Sequence, residues 1–76
     1  MMKDGNLQNE LHVFRAKKRW SQKEVAEKLG ISRQIIVSLE ANRYNPSLGL
    51  AFKIANLFEV DINDIFQYIV DDQEEE

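Results

Sequence analysis

One stretch limits what this chain can fold into more than any other: Ser21 to Glu40, SQKEVAEKLGISRQIIVSLE. Ser21 and Glu24 stand three apart, the spacing at which a serine hydroxyl and a glutamate carboxylate satisfy each other's backbone N–H at a helix start. Trp20 before the cap and Val25 at the fourth helical position can close over that start as a hydrophobic staple. Val25, Ala26 and Leu29 then fall on one helical face. Gly30 follows, where a helix stop favours positive φ. Ser32 caps a second helix, and Ile31 with Ile36 repeats the staple. The three-residue link Gly30-Ile31-Ser32 suits two helices that meet at a steep angle. Ile31 is expected to point into the core, and Ala26 supplies the small side chain that a close crossing needs.

The second helix, from about Arg33 to Ala41, divides by face. Ile36, Leu39 and Glu40 share one side, while Gln34, Val37, Ser38 and Ala41 point the other way. Arg33, in the first turn, is long enough to reach past it. Such groups at a helix start suit the edges of DNA bases. Arginine bridges O6 and N7 of guanine, and glutamine bridges N6 and N7 of adenine. The partial positive charge of the helix N-terminus also favours a nearby phosphate. Arg33, Gln34 and Ser38 are therefore the candidate base readers, and Val37 is placed to meet a thymine methyl.

Here the sequence resembles a known family, the lambda-repressor-like, Cro-type (XRE) helix-turn-helix regulators. The residues that carry the likeness are Ser21-Gln22, Glu24, Ala26, Leu29-Gly30, Ser32-Arg33-Gln34, Ile36, Leu39-Glu40 and Tyr44-Asn45-Pro46-Ser47-Leu48. It covers roughly Leu7 to Gln67, and the combined spacing is far more specific than any one short motif. The resemblance implies a short stand-alone repressor with a compact, all-α, five-helix fold. It implies that Gln22 binds phosphate and that Arg15 pairs with Glu40, tying helix one to the recognition helix. It implies that the loop of Arg43, Tyr44, Asn45 and Ser47 runs along the DNA backbone, with Ser47 also capping helix four. Members commonly bind palindromes as homodimers, with half-sites one helical turn apart, about 34 Å. Two departures are visible. Asn42 stands where the family usually has Gly, a mild change at a left-handed cap, and Ala41 stands where it often has a polar Asn.

Net charge is −3, which at first argues against a DNA binder. The distribution answers this. From His12 to Lys53 there are nine Lys and Arg against three Glu, a local +6; the remaining segments carry one Lys and ten acids, −9. Counterion release on DNA depends on the local cluster rather than on the total. Much of the cluster lies in helix one, expected from about Asn9 to Arg19. Its Lys17 and Lys18 read first as a solvated face near a helix C-terminus, and second as phosphate contacts.

The chain's 76 residues suffice for one small domain with one core. There is no cysteine, so no disulfide and no thiolate metal site is available, and the single His12 makes no metal site either. No cofactor is called for. No nucleophile–base arrangement, phosphate-cradling glycine loop or carboxylate pair points to an enzyme. No signal peptide or long apolar run is visible, so a cytoplasmic, nucleoid-associated protein with no membrane partner is expected.

After the paired helices, Leu48 to Phe58 carries a wide apolar face and is expected to be the central helix. Asp61 and Asp64 open a short helix five, from about Ile62 to Phe66. Phe66 to Val70 then alternates weakly and is rich in β-formers. Whether it is helix or strand stays open; as a strand, its partner would be Asn6 to Gln8. The domain is thus set at residues 7–70, and the acidic run at 71–76 is expected to be disordered and solubilising. Leu57, Val60, Ile62, Phe66, Tyr68 and Val70 exceed what one small core needs and are the candidate dimer interface. A different class of function competes: a protein-interaction module of the antitoxin or adaptor type, in which DNA binding is secondary. A third variant adds a protein co-regulator to a DNA-binding dimer.

Overall fold

In the computed structural model, which describes residues 5–70, five helices stand between two short strands. The order is β1 (Gly5–Asn9), α1 (Leu11–Lys18), α2 (Gln22–Leu29), α3 (Arg33–Glu40), α4 (Leu48–Phe58), α5 (Ile62–Ile65) and β2 (Phe66–Val70). The two strands pair antiparallel, with Gly5 opposite Val70 and Asn9 opposite Phe66. The fold is therefore mostly helical but not strictly all-α, because the segment after α5 forms a ribbon with the segment before α1. The reason is local. Phe66 leaves the helix with φ −112° and ψ 133°, and the β-formers after it find an unpaired partner strand at residues 5–9. The acidic run at 71–76, and the expectation attached to it, lie outside the described residues.

Local sequence signals set the helix ends. The Ser21 hydroxyl accepts from Glu24 N at 3.0 Å, while Glu24 Oε1 accepts from Ser21 N at 2.7 Å. Ser32 and Ser47 repeat the cap on Ile35 N and Leu50 N, at 3.3 and 3.1 Å. Each such cap stabilises its helix by about 1 kcal/mol. Gly30 closes α2 at φ 72°, and Asn42 takes the same left-handed region at φ 59° after α3. Arg19 and Glu59 also end their helices left-handed, at φ 60°, without the glycine that usually marks such a stop. Helix α1 is shorter than the pattern suggested. Asn9 is part of β1 and pairs with Phe66, Glu10 N donates to Ile65 O at 2.9 Å, and Arg19 already turns away.

The core forms where the apolar faces meet. Leu11, Val25, Ile36, Leu39, Ile54 and Ile65 are its largest fully enclosed side chains, one or two from each helix. Ala26 is 2% exposed, the small contact that lets α2 and α3 cross closely. Phe58 closes one side of the core against Phe14 and Trp20, with ring centroids 6.0 and 5.5 Å apart. Ammonium groups cover these rings. Lys28 lies 4.6 Å and Lys18 5.8 Å from the Trp20 centroid, and Lys17 lies 5.2 Å from that of Phe14. Lys53 reaches Leu29 O at 3.0 Å and so neutralises the end of α2. Part of the positive cluster is thus engaged with the protein's own rings and carbonyls at its surface.

Candidate nucleic-acid interface

Helix α3 presents its first turn to solvent because Ser32 caps it and Ile36 and Leu39 anchor it from behind. Arg33 and Gln34 are exposed, as is Ala41 at the far end, whereas Val37 and Ser38 are half-buried. Of the four candidate base readers, the two at the helix start are the accessible ones. Val37 and Ser38 show only part of their surface along the same face.

A hydrogen-bonded chain of four side chains holds this first turn. Arg15 grips Glu40 with two guanidinium nitrogens, Nε to Oε2 at 2.7 Å and Nη2 to Oε1 at 3.1 Å, and its Nη1 donates to Trp20 O at 3.0 Å. Glu40 Oε1 also accepts from Gln22 Nε2 at 3.0 Å. Gln22 Oε1 in turn accepts from Arg33 Nη2 at 3.3 Å. The side chains of Arg15 and Glu40 are 22% and 9% exposed, so the pair is largely shielded from water. The carboxylate hydrogen bond from Glu40 raises the Arg15 pKa above its ordinary value, while partial burial opposes the shift. That end of the pair stays charged at any pH a cell or an assay reaches.

This network bears on what Gln22 and Arg33 can do. An amide NH2 carries two protons, and Gln22 spends one on Glu40, leaving one to give to a phosphate. A guanidinium has five N–H donors in a planar fork. The bond to Gln22 uses one and steadies the plane, and the others remain for a base edge. Neither Gln22–Glu40 nor Gln22–Arg33 was visible in the sequence, because the partners come from separate helices and have no fixed spacing.

The loop after α3 lies beside this face. Arg43 N donates to Ser38 O at 2.9 Å, fixing where the loop departs. Arg43, Tyr44, Asn45 and Ser47 are exposed, and Tyr44 keeps 39% of its surface. The candidates for subunit contact separate. Phe66 is buried at 8% in the core of the single chain; Leu57, Val60 and Ile62 are half-buried against it; Tyr68 and Val70 stand out at 60% and 41%. Leu48, expected on the apolar face of α4 at its first residue, is instead 70% exposed, and Phe52 on the same helix and Ile69 on the ribbon are exposed as well.

A helix-turn-helix family model matches residues 11–65. The chain belongs to the Cro-type (XRE) helix-turn-helix family of transcriptional regulators. Among relatives, a protein of Methanocaldococcus jannaschii described as an HTH-type transcriptional regulator is 50% identical over 62 residues, covering 82% of this chain and 94% of its own length. An HTH-type regulator of Archaeoglobus fulgidus is 47% identical over 68 residues, covering 90% and 94%. A crystal structure of a protein from Bacteroides fragilis described as DNA-binding superposes with a TM-score of 0.73 at 30% identity, over 80% of this chain and 98% of that one. The transcriptional regulator VanUg shares the fold, with a TM-score of 0.75 at 18% identity over 92% and 93%. The two archaeal relatives are described as transcriptional regulators, a non-enzymatic role. No described helix is long and apolar enough to cross a membrane.

Proposed function

We propose that the chain is a sequence-specific repressor that binds a palindromic operator as a homodimer. The observation that carries this reading is the exposed Arg33-Gln34 pair on the first turn of α3, with Arg33 steadied by Gln22 and Glu40. In the complex α3 enters the major groove, Arg33 and Gln34 read base edges, and Val37 and Ser38 add contacts further along the helix. Gln22, Arg43, Tyr44, Asn45 and Ser47 hold the phosphates on either side.

One helix start reads few base pairs, so two copies on a palindrome supply the specificity. Support for dimerisation comes from the ribbon. Among the described residues it has two strands, neither paired with a further strand on its outer edge, and Tyr68, Ile69 and Val70 are exposed on it. Leu57, Val60 and Ile62 border the same end of the fold. The same apolar ribbon favours a second reading, a protein-interaction module that docks a different chain there.

Binding to DNA from upstream of the protein's own gene, followed across a salt series with random DNA as control, separates the two. Tight, palindromic protection with a steep salt slope is the expected result. Equal, weak binding to both DNAs would shift the function to the protein partner.

A further inference from the structure

Strand β1 does more than pair with β2. Its last residue, Asn9, spends its whole side-chain amide on two helices. Oδ1 accepts from Leu11 N at 3.1 Å and so opens α1. Nδ2 donates to Leu39 O at 2.8 Å and to Asn42 Oδ1 at 3.2 Å. Both amide protons are therefore committed to the end of the recognition helix. Asn42 is the left-handed residue at which α3 stops, and the next residue, Arg43, starts the polar loop with its N–H on Ser38 O. A side chain from the far end of the sequence thus holds the residue that sets the bearing of that loop.

The surroundings agree. An open cleft of about 490 Å3 separates the ribbon from the loop, bounded by Asn6, Gln8 and Tyr68 on one side and Asn42, Arg43 and Asn45 on the other. Among the described residues that line it there is no carboxylate to compete with a phosphate for Arg43. Asn9 directly follows Gln8 of that lining, and its bond to Asn42 ties the ribbon side of the cleft to the loop side.

We propose that Asn9 is a positioning residue for the DNA-backbone contact: by fixing Leu39 O and Asn42 it sets where Arg43 and Asn45 meet the phosphates. The inference rests on the DNA-binding reading and adds a determinant that touches no DNA. It makes the terminal ribbon part of the interface, because β2 holds β1 and β1 carries Asn9.

The test is a double-mutant cycle on operator affinity and salt slope. Asn9→Ser is neutral and keeps an oxygen for Leu11 N, as serine turns do, but it is too short to reach α3. With Arg43→Gln and the double variant it completes the cycle. Asn9→Ser is expected to weaken operator binding about fivefold and to lower the salt slope by about one unit, as loss of a phosphate contact does. Arg43→Gln is expected to cost much less in the Asn9→Ser background than in the wild type. Circular dichroism and urea midpoints check that each variant is folded. If Asn9→Ser fails to fold, Asn42→Gly serves in its place, since it keeps the left-handed turn and removes one partner of the latch. Additive losses, or an unchanged affinity in Asn9→Ser, would overturn the inference while leaving the DNA-binding reading intact. A wild-type protein that does not distinguish operator from random DNA would overturn both.

Discussion

Replacing Arg15 with methionine keeps the aliphatic stem and removes the charge with all three donated hydrogen bonds. Exposed ion pairs contribute roughly 0.2–1 kcal/mol, whereas stripping the partner from a fully buried charge costs roughly 3–5 kcal/mol. The pair here lies between these limits. Glu40 is 9% exposed, but it keeps the bond from Gln22 Nε2 after Arg15 is gone. Arg15→Met is therefore expected to cost about 2 kcal/mol, an intermediate value between those cases. In a domain of this size that lowers Tm by roughly 8–16 °C. Chemical denaturation in urea, read by circular dichroism, measures it. Because the Arg15 pKa is raised by its bond to Glu40, the arginine side of this stabilisation is fully present below the ordinary arginine value. It is lost only as pH rises through the shifted one, so the loss should be the same at pH 6 and pH 8. The double variant Arg15→Met, Glu40→Met should recover part of the stability, because no carboxylate is left without its partner. DNA affinity should fall with the fold, but the order of preferred sequences should not change, since Arg33 and Gln34 remain. A loss below about 0.5 kcal/mol, within the range of ordinary surface substitutions, together with an altered base preference, would refute the structural role.

The other expectations are narrower. Arg33→Ala should cost about 1–3 kcal/mol at one base position and relax specificity there; an equal loss on all sequences in a competition assay would make Arg33 a phosphate contact instead. Gly30→Ala isolates backbone strain, because an added Cβ meets nothing within 4 Å while φ stays at 72°; it should cost about 1 kcal/mol in urea unfolding, and no change would mean that the turn relaxes freely. Gly5→Ala is the opposite case. Its Cβ would fall 2.6 Å from Ile69 O and 2.7 Å from the Tyr68 ring, so hydrogen exchange at the Gly5–Val70 end of the ribbon should speed up while the helical core keeps its protection.

What could be read from the sequence was what the chain encodes within one turn. The Ser21–Glu24 box, the Ser32 and Ser47 caps and the Gly30 stop rest on partners no more than four residues apart, and each was found in place. The strand after α5 was only half legible, because weak alternation of β-formers does not say whether a partner strand is near. Phe66 shows the same limit. It belongs to the apolar set that the sequence offers either as a dimer interface or as closure of the chain's own core, and the turn out of α5 places it in that core. Of the contacts that organise the candidate interface, the Arg15–Glu40 pair was legible through the family resemblance and is in place; the others were not. Gln22 meets Glu40 across 18 residues, Arg33 meets Gln22 across 11, and Asn9 reaches Leu39 across 30. Hydrophobic periodicity carries no information about such pairs, because long polar side chains choose partners by where helices happen to cross. Lys53, counted with the positive cluster, proved to be tied to the end of α2 for the same reason.

The ribbon also orders events in time. Its strands are the first and last of the seven elements, so it joins the two ends of the described chain, Gly5 to Val70. The helices between them depend mainly on nearby residues and can form early, whereas closing a span of this length carries an entropic cost that only the late contacts offset. During synthesis the helical body can therefore assemble before its strand partner exists. The strand that carries Asn9, bonded to Leu39 O and Asn42 at the end of α3, then gains its β2 partner only after Val70 has left the ribosome, and an unfinished chain would hold α3 without that backing.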